Sequence, residues 1–309
     1  MNDVILTAQK IKDLKIQGAR SIAVASLNSL QRIKEAKKHR PKADQPLAER
    51  IKEAIAILIK ARPTEPLNYN CLNFIKKRLT IQQKTDGQSL KKIINDSADY
   101  FLRLIENQQK AIVSHGQKII RNKQKIFTHC HSSTVEAILK KAWQNKKRFQ
   151  IYNTETRPMF QGRVTAKNLR KAGIPVTLVA DSAAAFLISE HSGKKLMMDL
   201  VLLGADAVLP DGSVINKIGS FGIGLIANVQ KVPLYVVTTL LKYDADGIIP
   251  IEIRPTEEIW PNKPKGLKII NFAFDKIPAK YIKGIICEFG IVKPNKVKQL
   301  VKKHYPWIK

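Results

Sequence analysis

KIFTHCHSSTVEAILKKAW, residues 125–143, changes rhythm at its midpoint. Its first part, Lys125 to Thr128, is a short apolar run; from Ser133 onward Val135, Ile138, Leu139 and Ala142 recur three and four apart, the spacing of one helix face. The stretch reads as a strand passing directly into a helix. The turn between them holds His129, Cys130 and His131, then the hydroxyls of Ser132, Ser133 and Thr134. A helix start presents unpaired N–H groups and the positive end of the helix dipole, so it binds phosphate and lowers the pKa of a neighbouring thiol. That predicts a phosphate cradle with Cys130 poised as a thiolate. The plainer alternative is a capped helix with an inert, partly buried cysteine. Zinc is not expected: adjacent strand residues face opposite ways, and no second cluster completes a tetrahedral shell.

The same rhythm continues downstream. Apolar runs at 149–155 (FQIYNTE), 175–180 (PVTLVA), 200–206 (LVLLGAD), 233–239 (PLYVVTT) and 284–290 (GIICEFG) are separated by helical stretches at 164–173, 182–193 and 219–231. Continuous rather than alternating apolar runs suit strands buried on both faces, which predicts a mostly parallel sheet flanked by helices, Rossmann-like in topology. Upstream the period is helical almost throughout, from VILTAQKIKDLKI to the long SLKKIINDSADYFLRLIENQQKAIVSHGQKII, with breaks at Gly18, at Pro41 and Pro46, and at Arg62-Pro63. The fold class is therefore α/β, with a helical bundle over 1–120 followed by a Rossmann-like domain over 121–309.

Composition narrows the function. The 309 residues are 44% hydrophobic, enough for a folded core. Three cysteines without CxxC spacing argue against a disulfide framework and point to a reducing cytoplasm. No apolar run reaches the length of a membrane span, so neither membrane nor secretion is expected. The net charge of +29 would attract nucleic acid or phosphorylated ligands, although the lysines are dispersed and aromatics make up only 6%.

In open parallel sheets ligands bind beyond the carboxyl ends of the strands. THCHSST, TETRP, DSAA and GADAV all occupy such positions. Asp206 ends a wholly apolar strand, where poor solvation favours a protonated carboxyl fit for acid catalysis, or else it merely caps the next turn. Asn216 and Lys217 precede a glycine-rich helix start and are candidate phosphate contacts; Pro210-Asp211-Gly212 reads as a tight turn. Glu155, Arg157 and Arg163 could grip a sugar phosphate or form an internal ion pair. Arg20 and Arg62, at helix breaks, are further basic candidates. Neither GxGxxG nor GxxxxGK[ST] is present, so no dinucleotide or P-loop site is indicated.

Taken together, IQGAR, ARPTEP, THCHSSTV, TETRPMFQGR, AGIPVTLVADSA, GADAVLPDGSVINKIGS and NFAFDKIP, in this order over nearly the whole chain, resemble one superfamily. It contains the regulatory subunits of translation initiation factor two-B, methylthioribose-1-phosphate isomerase and archaeal ribose-1,5-bisphosphate isomerase. The resemblance implies the same two-domain fold, usually dimerised through the second domain. It places the isomerases' catalytic pair on Cys130 and Asp206, which the eukaryotic regulatory subunits generally lack, and a sugar-phosphate site on Gly18, Ala19, Arg62, Arg157, Asn216 and Lys217. Arg20, Ser132 and Ser133 are added as phosphate contacts. One departure stands out: the isomerases usually carry arginine where this chain has Gln17, with Arg20 as the nearby cation. The function implied is a cofactor-free aldose–ketose isomerase converting ribose 1,5-bisphosphate to ribulose 1,5-bisphosphate, Asp206 as acid and Cys130 as base, in a homodimer or higher homo-oligomer. The alternatives are a non-catalytic regulatory subunit binding initiation factor two or RNA through the basic surface, and methylthioribose-1-phosphate isomerase.

Overall fold

The computed structural model describes residues 1–33, 47–81, 87–248 and 251–308. The polar linker expected around Pro41 and Pro46 lies outside them. The chain forms two compact units, Met1–Asn107 with Tyr305–Lys309, and Gln108–His304.

The first unit is built from α1 (Asn2–Lys12), α2 (Ala19–Gln31), α3 (Leu47–Ala61), α4 (Pro66–Ile81) and the larger part of α5 (Gly87–Gly116). Each helix follows its apolar period: α3 buries Ile51, Ala54, Ile55 and Leu58, and α5 buries Ile94, Ala98, Phe101 and Ile105. Gly18 stands immediately before α2 at φ 83, a conformation glycine adopts without strain. The C-terminal Trp307 belongs to this unit and packs edge-on against Phe74 and Phe101, ring centres 5.2 and 5.5 Å away.

The second unit begins inside α5 and continues as β1 (Lys125–Thr128), α6 (Ser133–Gln144), β2 (Gln150–Thr154), α7 (Gln161–Lys171), β3 (Val176–Val179), α8 (Ala184–Ile188), β4 (Leu200–Leu203), β5 (Ala207–Val208), β6 (Val214–Lys217), α9 (Ser220–Val229), β7 (Leu234–Val237), β8 (Phe274–Ile277), β9 (Gly284–Cys287), β10 (Gly290–Val292) and α10 (Val297–His304). Seven strands form one sheet in the order β10-β9-β7-β4-β1-β2-β3, in which only β10 runs antiparallel. The apolar runs of the sequence are six of these strands, β10 being the addition, and β4 is buried at every position because helices cover both faces. Ile138 and Leu139 of α6 pack with Ile126, Ile151 and Leu202 in one core, each buried aliphatic side chain contributing about 1.5–3 kcal/mol.

A second sheet of three antiparallel strands, β5-β6-β8, was not legible as strands in the sequence. The turn at Pro210-Asp211-Gly212 joins β5 to β6; Gly212 takes φ +81, and Asp211 Oδ1 accepts the Ser213 N–H at 2.9 Å.

Candidate functional site

The strand order reverses between β1 and β4, which are neighbours in register through Ile126↔Leu200 and Phe127↔Val201. Chains leaving their carboxyl ends diverge there and leave a crevice. Cys130 follows the end of β1 and Asp206 the end of β4, so adjacent parallel strands deliver the two groups to one edge of the sheet. Gly204 allows this closeness: a Cβ on it would meet Ser132 Cβ at 2.9 Å. Asp206 is braced from the small sheet, its N–H donating to Ile215 O at 2.9 Å.

Cys130 sits at φ 65, uncommon for a residue with a side chain. Two threonines hold it there. Its N–H donates to Thr156 Oγ1 at 2.9 Å, and its carbonyl accepts from Thr165 Oγ1 at 3.0 Å. Thr156 is itself at φ 64, and the Asp181 carboxylate fixes that turn by accepting the N–H groups of Thr156 and Arg157 at 2.9 and 2.7 Å. Non-glycine residues in this backbone region persist where their surroundings over-determine them, as at ligand clamps and active sites.

The electrostatics overturn one expectation. Burial pushes the Cys130 thiol up to about 11, even though the residue keeps some exposure; Lys217 and the His131 N–H pull it down, while Asp206 and Asp181 push it further up. The cysteine is therefore a neutral thiol, not the thiolate that the helix start suggested. Removing a charge from water here costs more than the helix terminus and one ammonium return. Asp206 and Lys217 are both near enough for their charges to bear on the thiol.

A directed chain of hydrogen bonds crosses the site. The Thr156 and Thr154 hydroxyls lie 3.1 Å apart, Thr154 Oγ1 is 2.5 Å from His129 Nδ1, and His129 Nε2 is 2.8 Å from Ile218 O. The Ile218 carbonyl can only accept, so Nε2 carries the proton and Nδ1 accepts from Thr154. Burial lowers the pKa of His129, consistent with this neutral ring. The chain links the Cys130 turn, through β2, to the turn between β6 and α9.

The other predicted residues take distinct places. Ser132 caps α6, its Oγ accepting the Val135 N–H at 3.3 Å, and Ser133 opens the helix exposed. Asn216 is buried and donates to Ser220 Oγ at 2.8 Å. The Lys217 ammonium lies 5.0 Å from the centre of the Phe274 ring. Arg157 donates to Ile259 O at 3.0 Å, and Glu155 pairs with Arg163 at 2.7 Å, the internal ion pair weighed above. Gly18, Ala19, Arg20 and Arg62 belong to the first unit, where Arg62 Nε lies 3.6 Å from Glu65 and Gln17 donates back to Leu14 O at 2.7 Å. Among the described residues no group of three His, Cys, Asp or Glu side chains is placed to hold a metal ion, and no helix is long and apolar enough to cross a membrane.

Sequence reading missed Thr154, Thr156 and Asp181 as supports, Lys242, which donates to Ala205 O beside Asp206 at 2.5 Å, and Asp275, which accepts the Gly219 N–H at 2.7 Å. Asp181 and Lys242 follow β3 and β7, so the strand-end rule held the signal for both.

A model of the Initiation factor 2 subunit family matches residues 15–294. The ribose 1,5-bisphosphate isomerase of Methanocaldococcus jannaschii is 36% identical, covering 98% of this chain and 95% of its own. Among solved structures, 5-methylthioribose 1-phosphate isomerase from Pyrococcus horikoshii OT3 superposes with a TM-score of 0.80 at 27% identity over 98% of this chain and 88% of that one. The translation initiation factor eIF-2B of the same organism gives 0.79 at 26% identity over 95% and 98%.

Proposed function

Because the chain belongs to the Initiation factor 2 subunit family, we propose that it is one of that family's sugar-phosphate isomerases and converts ribose 1,5-bisphosphate to ribulose 1,5-bisphosphate. The observation that carries this reading is that adjacent parallel strands bring Cys130 and Asp206 to the switch point between β1 and β4. Similarity over nearly the full length to the M. jannaschii isomerase supports the choice of sugar.

With phosphate on the anomeric oxygen the ring cannot open as a free aldehyde, so an acid must protonate the ring oxygen. Asp206 supplies that proton, and the bond from carbon one to the ring oxygen breaks to leave a cation at carbon one. The hydrogen on carbon two then migrates with its electron pair to carbon one. The hydroxyl on carbon two becomes the carbonyl, and its proton returns to Asp206. This course needs no base for the carbon-bound hydrogen, which suits a neutral Cys130. A thiolate beside the cation would add to carbon one; a protonated thiol lines the site without trapping it. Lys217, Asn216, Arg157 and the start of α6 with Ser132 and Ser133 are the phosphate contacts in this reading.

The enzyme is a homodimer or higher homo-oligomer of a reducing cytoplasm, in keeping with its three free thiols. Incubation of purified protein with ribose 1,5-bisphosphate forms ribulose 1,5-bisphosphate, and Asp206→Asn loses most of the activity. No turnover, or full activity in Asp206→Asn, rejects the assignment. The +29 charge is what favours the rival, a regulatory subunit binding initiation factor two or RNA. A salt-sensitive pull-down of either partner, unaffected by Cys130→Ser, would select it.

A further inference from the structure

The peptide joining Ile218 to Gly219 is gripped at both ends. Its carbonyl accepts the His129 Nε2 proton at 2.8 Å, and its N–H donates to Asp275 Oδ2 at 2.7 Å. Gly219 stands at φ +102, where side chains are strained, and a Cβ there would lie 3.4 Å from His129 Nε2. Lys217 immediately precedes this peptide. On the neighbouring strand β8, Phe274 lies under the Lys217 ammonium, and Phe274 and Asp275 pair in register with Lys217 and Asn216.

Nothing in the reaction proposed above uses Asp275, yet its carboxyl is kept in an unfavourable place. Burial raises its pKa to about 6 against the pull of the Gly219 and Phe221 N–H groups, and Oδ1 is buried with no hydrogen-bond partner among the described residues. A charge held at such a cost usually serves geometry or chemistry rather than stability. Of the N–H groups this carboxylate meets, that of Gly219 belongs to the peptide His129 holds from the other end.

We propose that Asp275 and His129 are positioning residues that clamp the Ile218–Gly219 peptide and thereby aim the Lys217 ammonium at the Cys130 thiol. The clamp rests on the isomerase reading for its purpose but not for its test. His129 holds the carbonyl end and, through Thr154 and Thr156, ties it to the Cys130 turn; Asp275 holds the N–H end from β8. Both grips are needed, since a peptide held at one end still rotates about the glycine.

Alkylation of the native protein by iodoacetamide reads the geometry without any substrate. Cys71 and Cys287 are fully buried with thiols pushed far up, so the rate reports Cys130. Lys217 favours the reactive thiolate, so Lys217→Met slows alkylation, by about tenfold for each pKa unit that the thiol rises. Asp275→Ala, which leaves no acceptor for the Gly219 N–H, is expected to slow it at least threefold, and the double variant to react like Lys217→Met alone. Loss of the Asp275 charge by itself would act the other way and speed the reaction. An unchanged or faster rate in Asp275→Ala, or an equal slowing in the Lys217→Met background, overturns the clamp. If Asp275→Ala does not fold, His129→Leu applies the same test from the carbonyl end, with His129→Gln, which keeps a donor, restoring the rate. Slowed alkylation in a protein that turns over no ribose 1,5-bisphosphate leaves the clamp standing and sinks the isomerase reading instead.

Discussion

The two sheets of the second unit place their functional groups by opposite means. In the large sheet, strands buried on both faces carry Cys130 and Asp206 at their ends, and position follows from register between β1 and β4. In the small sheet, short antiparallel strands carry Asn216, Lys217 and Asp275 within their own length, and position depends on individual polar contacts. The first design is secured by apolar area and tolerates little movement. The second is secured by a buried charge and a glycine, so single substitutions act on it locally.

The largest effect expected tests the large sheet. Asp206→Asn removes the proposed acid and should lower kcat about a thousandfold, within the usual range for such a group, while circular dichroism and thermal melting stay close to the parent. A small kcat change would break the assignment of chemistry to the ends of β1 and β4.

The small sheet predicts a trade of stability against function. The Asp275 carboxyl titrates near 6 rather than its ordinary 3.8, which corresponds to about 3 kcal/mol against its charged form. Below about pH 4 it is protonated in both folded and unfolded chains, and this cost is absent. The cost grows as pH rises and is complete above about pH 6, so this group makes the folded state less stable across that window. Denaturant unfolding should show Asp275→Asn more stable than the parent at pH 7, with the gain vanishing toward pH 4. A variant less stable at pH 7 would mean that the negative charge facing the Gly219 and Phe221 N–H groups outweighs its burial.

Where the two designs meet, Gly204→Ala sets a Cβ against Ser132, which must shift together with the start of α6. We expect a loss of about 1–3 kcal/mol, typical of overpacking, together with reduced kcat. The smallest effect is Ser132→Ala, which removes the α6 cap and should cost about 1 kcal/mol in thermal or denaturant unfolding.

The same contrast explains what could be read from the sequence. Strands β4, β7 and β9 are unbroken apolar runs, β1, β2 and β3 are shorter apolar stretches broken by single polar residues or by Asn153-Thr154, and α6 announces itself by Ser132 and the spacing of Val135, Ile138, Leu139 and Ala142, so the larger sheet and the places of Cys130 and Asp206 were legible. The small sheet was not. β5 spans only Ala207–Val208, and β6 finds its partner in β8 far along the chain, with Asn216, Lys217, Asp275 and Lys276 interrupting any run. The state of Cys130 was misread because spacing reveals the helix start but not how much apolar material closes over the sulfur. Asp275 was invisible as a support because its role exists only once Gly219 is brought opposite it.

The most direct measurement follows the hydrogen on carbon two. Ribose 1,5-bisphosphate deuterated at that carbon, incubated with the protein in ordinary water, should give ribulose 1,5-bisphosphate carrying the deuterium on carbon one, because a neutral Cys130 leaves the hydrogen to migrate directly. Product whose label has washed into solvent, or no product at all, would contradict the account.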